Sequence, residues 1–220
     1  MAQATTRILI IGGGFGALFS ALELAGTGEV TLVSDEDHFL FKPMLYEYLS
    51  GEVDAWHIAP DCKELLDERV RCVRGAVTTI DLKARAVTLA KRAEPIPYDV
   101  LVLALGGVTN FAGVEGAEQY ASPFRRLLDA NHLRRRMTEA LDRVQPDAAP
   151  QDARRALTFA IVGGGASGVE LSTKMADLLQ DALRRRALQG EPRVLVIEMT
   201  DHVVPGMGEE IRKFVEQALF

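Results

Sequence analysis

Ile8-Leu9-Ile10-Ile11 is a continuous apolar run rich in β-branched residues, and it ends at once in glycines. A run that is apolar on both faces predicts a strand buried inside a parallel sheet. Leu18, Ala21, Leu22 and Ala25 then recur at i, i+3, i+4 and i+7, the buried face of a helix. Gly26 and Gly28 stop that helix, and Val30-Thr31-Leu32-Val33 is the next strand. Residues 35–68 show no repeat and read as an excursion with short helices, such as one over 60–69. The β-branched segments 70–73, 77–80 and 86–89 flank polar turn material at 81–85, so this region reads as a small antiparallel meander. Residues 100–105 predict another buried strand, ended by Gly106-Gly107, and 123–143 a long amphipathic helix. The stretch 145–152 has two prolines and no apolar period, which suggests a linker.

The opening pattern then returns about 150 residues on. Residues 157–162 predict a strand, 163–168 a turn, and 169–186 a helix burying Leu171, Met175, Leu178 and Ala182. A strand at 194–197 is closed by Glu198, and one further helix is expected over 208–220. The fold class that follows is α/β, with two Rossmann-like dinucleotide-binding domains. The first, at 1–144, carries the meander. The second, at 153–220, holds only the start of such a domain and reads as truncated.

Each repeat carries a glycine turn between strand and helix. Gly12, Gly14 and Ala17 fill the small positions of G-x-G-x-x-G/A, and Gly163, Gly165 and Gly168 fill them again. The first small residue permits the tight turn, the second lets backbone approach a pyrophosphate, and the third lets helix and strand pack closely. Free N–H groups and the dipole at the helix start favour the phosphates. Glu198 stands where an acid accepts hydrogen bonds from the adenosine ribose, which favours NADH over its 2′-phosphorylated form. In the first repeat that contact falls to Asp35 or to the Ser34 hydroxyl. Two nucleotide sites on one chain suggest hydride transfer between a nicotinamide and a flavin, and spacing does not say which site holds which.

Composition narrows the classes. With 25 Lys and Arg against 31 Asp and Glu, the net charge is −6, and no basic footprint for nucleic acid exists. Apolar residues at 48% are enough for a core, which excludes disorder as the main state. No stretch approaches the ~20 apolar residues of a membrane span, and the first residues fit no secretory signal. Cys62 and Cys72 match neither zinc nor dithiol spacing, so reduced cytosolic thiols are expected. His38, His57, His132 and His202 are scattered without metal spacing, and Trp56 reads as a packed aromatic. The runs Arg134-Arg135-Arg136 and Arg184-Arg185-Arg186 suit solvated helix faces or lipid headgroups.

The stretch Val30-Thr31-Leu32-Val33 leading to Phe39-Leu40-Phe41-Lys42-Pro43-Met44-Leu45-Tyr46-Glu47 resembles the type II, non-proton-pumping NADH dehydrogenases. So do Tyr98-Asp99-Val100-Leu101-Val102-Leu103-Ala104-Leu105-Gly106, Thr109-Asn110-Phe111, Gly113-Val114-Glu115-Gly116, residues 163–170 and Val204-Pro205-Gly206-Met207. Residues 46–53 are especially similar to the cyanobacterial and plastid branch that reduces prenylquinones. The resemblance implies that the first repeat binds FAD, along Gly12, Gly14, Phe15, Gly16, Ala17, Lys42, Val77, Ala104 and Gly106, and the second NADH. It also implies that Glu170 lies near the nicotinamide–flavin contact. Read from the residues alone, a glutamate in the first turn of a helix simply complements the dipole. Ala17 for a glycine and Ser34 for an acid depart from the family pattern.

The expected activity is hydride transfer from NADH to FAD, with a membrane quinone as final acceptor. A cytoplasmic protein is implied, peripheral to the inner face of the membrane through a C-terminal region lacking here, with a homodimer as one arrangement. The rivals are a redox-sensing or interaction module without turnover and another FAD- and NAD(P)-dependent reductase.

Overall fold

The computed structural model describes residues 5–145 and 149–219. In chain order these form β1 (Arg7–Ile11), α1 (Phe15–Leu24), β2 (Glu29–Ser34), α2 (Leu45–Ser50), α3 (Ala55–Ile58), α4 (Cys62–Leu65) and β3 (Val70–Arg74). There follow β4 (Val77–Asp81), β5 (Ala86–Leu89), β6 (Ile96–Pro97), β7 (Val100–Leu103), α5 (Ala117–Tyr120), α6 (Leu127–Asp142) and α7 (Pro150–Ala156). The chain closes on β8 (Thr158–Val162), α8 (Ala166–Arg186), β9 (Arg193–Ile197) and α9 (Glu209–Leu219). It divides into two compact units, Met1–Lys42 with Asp54–Pro123, and Pro43–Val53 with Phe124–Phe220.

The first unit is built on a parallel sheet in the order β3-β2-β1-β7. Ile10 faces Leu32 on one side and Val102 on the other, and Leu32 in turn faces Cys72. Ile8, Ile10, Val30 and Leu32 meet Ala17 and Ala21 of α1 on one face, where the alanines let the helix lie close. Leu9, Ile11 and Val33 pack on the other face against Val87, Leu89, Ile96 and Tyr98. The antiparallel meander there is β4-β5-β6. The expected meander therefore needs correction. Segment 70–73 is not part of it, because Val70 packs with Cys62 and Leu66 in the helix-side core and β3 pairs with β2.

Other expectations also shift in this unit. Leu22 is exposed, since Ala17 and Ala21 already fill the contact with the sheet. The strand over 100–105 is shorter and is not buried: β7 is the sheet edge, and Val100 and Leu103 are 46% and 59% exposed. The helix expected over 60–69 shrinks to α4, whose first turn Asp61 caps by accepting from the Lys63 N–H at 2.7 Å. Trp56 is 69% exposed and stacks on His57, because α3 buries only Ile58. Both cysteines are free, and burial pushes the Cys62 thiol up to about 11, which leaves it unreactive at neutral pH.

The second unit packs α8 against the two-stranded parallel sheet β8-β9. Met137, Ala140 and Leu141 of α6 share its core with Leu157, Leu171, Met175, Leu179 and Leu183. Leu49 of α2 joins them. Tyr48 donates its hydroxyl to Asn131 Oδ1 at 2.9 Å, and Arg134 Nε donates to the Leu49 carbonyl at 3.0 Å. Thus 43–53 and 124–144, both expected in a first domain ending at 144, pack with the second unit. The buried face of α8 is corrected to Leu171, Ser172, Met175, Leu179 and Leu183, with Leu178 and Ala182 only half-buried at its margin.

Part of the expected linker, 146–148, lies outside the described residues, and Pro150–Ala156 is helical with Pro150 starting the turn. Phe220, expected in the last helix, also lies outside them. The arginine runs lie on exposed helix faces, as expected, and some of their members also form ion pairs and hydrogen bonds. Arg185 and Arg186 pair with Asp181 and Asp142 at 2.6 and 2.5 Å, and Arg134 holds α2.

Candidate functional site

In the first unit the C-terminal ends of β1, β2 and β7 converge on the glycine turn. The Gly12 N–H donates to the Val33 carbonyl at 2.9 Å, and the Ala104 N–H donates to the Ile11 carbonyl at 2.8 Å. Gly12 has φ +136°, and a Cβ there would lie 2.1 Å from the Ala104 carbonyl oxygen. Only glycine meets both demands. At Gly14, the N-cap of α1, a Cβ would meet nothing within 4 Å, and the first turn holds no acidic residue. That open cradle, facing unpaired N–H groups at the positive end of a helix, fits a phosphate anion. Gly16 approaches the Ala104 side chain, and Ala17 is fully buried on the sheet-facing side of α1.

Ser34 is buried, its oxygen accepts from the Glu36 N–H at 3.1 Å, and it lies directly under Gly13. Asp35 is exposed beyond it. Gly106 follows β7 with φ +70° and open space around it. Val77 begins the meander opposite Leu89 and packs against the core that holds Ile11 and Val33. Lys42 opens the 3-10 turn Lys42–Met44 and is exposed. No hydrogen bond among the described residues ties its ammonium to the glycine turn. Phe15, expected along the flavin, stands in an aromatic group whose other members carried no site expectation. Phe15 packs edge-on against Phe39 and Phe41, with ring centres 4.9 and 5.5 Å apart, and half-exposed Phe19 stacks beside it. Its signal was phenylalanine directly after the glycines, together with Phe-x-Phe at 39 and 41.

The second unit repeats the geometry. The Gly163 N–H donates to the Ile197 carbonyl at 2.8 Å, as Gly12 does to Val33. Glu198 is therefore the counterpart of Ser34. Its carboxylate accepts from the N–H groups of Gly164 at 2.6 Å, Met199 at 2.7 Å and Thr200 at 3.1 Å. Those backbone bonds, Gly164 first, hold its pKa below the usual carboxylate range. A Cβ at Gly165 would meet open space, whereas one at Gly168 would strike the Gly163 carbonyl at 1.9 Å. The small third residue is thus a packing requirement. Because α8 begins at Ala166, Glu170 is its fifth residue and lies beyond the first turn, so the dipole account of it does not hold.

Among the described residues no cluster of His, Cys, Asp or Glu could hold a metal ion, and no helix is long and apolar enough to cross a membrane.

Residues 6–220 match the family described as pyridine nucleotide-disulphide oxidoreductase. The demethylphylloquinone reductase NdbB of Synechocystis is 39% identical over 208 residues, which cover 90% of this chain and 49% of that protein. The type II NADH:quinone oxidoreductase Ndh of Mycobacterium tuberculosis is 30% identical over 93% of this chain and 46% of its own. The solved structure of NDH2 from Plasmodium falciparum with NADH shares the fold, at a TM-score of 0.85 and 21% identity over 97% of this chain and 46% of that one. The chain spans about half the length of the curated relatives it matches.

Proposed function

This chain belongs to the pyridine nucleotide-disulphide oxidoreductase family, and from that premise we propose that it forms the dinucleotide-binding part of an NADH:quinone oxidoreductase. The observation that carries the reading is the pair of glycine turns, each open to a phosphate at the start of a helix. Gly12, Gly14, Phe15, Gly16 and Ala17 form the cradle for the FAD pyrophosphate, with Ala104 and Gly106 beside it. Lys42 and Val77 extend that site. Gly163, Gly165 and Gly168 do the same for NADH. Bound in the first turn, FAD supplies the acceptor for a hydride and the electrons that reduce a quinone.

The chain's own residues bind and orient. Ser34, as the counterpart of Glu198, takes the flavin ribose contact in preference to Asp35. Glu198 accepts from the NADH ribose hydroxyls and repels a 2′-phosphate. Glu170 orients the nicotinamide amide or holds a proton beside it. FAD binding is assigned to 1–144 and NADH binding to 153–220, with 43–53 and 124–144 packing with the NADH side. A quinone partitions into lipid, so the whole protein works peripherally at the inner membrane face. The relatives' names favour turnover over a sensing module.

Gly14→Val tests the reading. The added Cβ meets nothing within 4 Å in the protein and stands where the phosphate must approach, so flavin should be lost while the fold and its melting transition survive. Released flavin is quantified by its visible spectrum. Full flavin content in folded Gly14→Val would overturn the assignment.

A further inference from the structure

Glu170 and Lys174 stand four residues apart on α8, glutamate first, the order that pairs a carboxylate with an ammonium along a helix. Here the ammonium goes elsewhere. Lys174 Nζ lies 2.6 Å from Glu52 Oε1 and 6.0 Å from the centre of the Tyr46 ring. Among the described residues, no hydrogen bond or ion pair holds the Glu170 carboxylate. The backbone aims Glu52: Gly51 turns left-handed after α2, and the Glu52 N–H donates to the Glu47 carbonyl at 3.0 Å. Tyr48 and Arg134 in turn hold α2 on α6. All these residues belong to one compact unit.

We propose that Glu52 is a positioning residue that holds the Lys174 ammonium away from Glu170 and so leaves the Glu170 carboxylate available. The proposal rests on the reading that Glu170 serves the nicotinamide. The groups around it are Tyr46 and Glu47 on α2, Glu52 just beyond, and Lys174 and Asp177 on α8. Tyr46 donates to Glu47 Oε1 at 3.5 Å, and burial, then Glu47 and Glu170, push its phenol up, so Glu170 lies within electrostatic reach of Tyr46. Once released, the Lys174 cation would favour ionised Glu170.

The alternative is a plain pin between α2 and α8, and four proteins separate the two. The Glu170 side-chain carboxyl is titrated by carbon-13 NMR in the wild type, Glu52→Gln, Lys174→Met and the double variant. In Glu52→Gln the Glu170 midpoint should fall by a few tenths of a pH unit, the size of a helix i,i+4 pair. In Lys174→Met it should not fall, and in the double variant it should return to the wild-type value. Glu52 is 55% exposed, so its variant should fold; Glu52→Asn provides a second probe. A midpoint unmoved in Glu52→Gln and Glu52→Asn, or a fall that persists in the double variant, would overturn the proposal. Single-turnover flavin reduction by NADH in Glu170→Gln tests the underlying reading separately. An unchanged rate and pH profile there would remove the nicotinamide role while the NMR result still decides on Glu52.

Discussion

Gly12 and Gly165 occupy like-looking glycine turns, yet a methyl group added at each should act differently. At residue 12 it meets a backbone oxygen at 2.1 Å and a φ of +136°. Gly12→Ala should cost about 2–4 kcal/mol in unfolding free energy. Gly165→Ala meets nothing within 4 Å and should cost about 1 kcal/mol or less, as a lost N-cap preference. Urea unfolding of both variants measures this, and equal losses would contradict the packing account. The spacing of these glycines was legible in the sequence because turn chemistry is local. Trp56 and Leu22 were misread for the opposite reason: whether a large side chain is buried depends on what faces it. For Leu22 the alanines beside it had already filled the contact.

At the scale of elements, the turns after β8 and β9 together gather three N–H donors onto one carboxylate. Glu198 is therefore held in one orientation before any ligand arrives. Glu198→Gln keeps the shape and removes the charge. In the whole enzyme, kcat/KM for NADH should fall about tenfold, and the preference over NADPH should narrow. An unchanged NADH/NADPH ratio would count against the ribose contact. The strands of both repeats were readable from their apolar runs, and β1 and β2 are buried as expected. The allegiance of β3 was not readable. A β-branched run specifies a strand but carries no mark of which sheet it joins, and here pairing with β2 decided it.

Across the whole molecule, ion pairs set the acid limb of stability. Arg7 holds Asp99 through two side-chain bonds at 2.8 and 3.0 Å, and Arg69 likewise holds Asp67. These guanidinium bonds depress both carboxylates well below their ordinary range. A depressed folded pKa contributes stability above the unfolded value, and that contribution disappears as pH falls through the folded one. Thermal midpoints should hold from pH 7 to about 5 and decline below about 4. Because the pairs are exposed, the decline should be modest and shallower at high salt. In Asp99→Asn part of it should vanish, and a decline identical to wild type would rule out this pair as a contributor.

The interleaving of the two units bears on how such a protein can be inherited and recombined. The core beneath α8 takes Leu49 from one stretch of chain, Met137, Ala140, Leu141 and Val144 from another, and its other buried residues from beyond residue 152. A crossover that exchanged only 153–220 between relatives would bring two ancestries together inside one hydrophobic core. The heritable module is therefore discontinuous: 43–53, 124–144 and the second glycine turn have to change together, so substitutions in α2 and α8 are expected to co-vary.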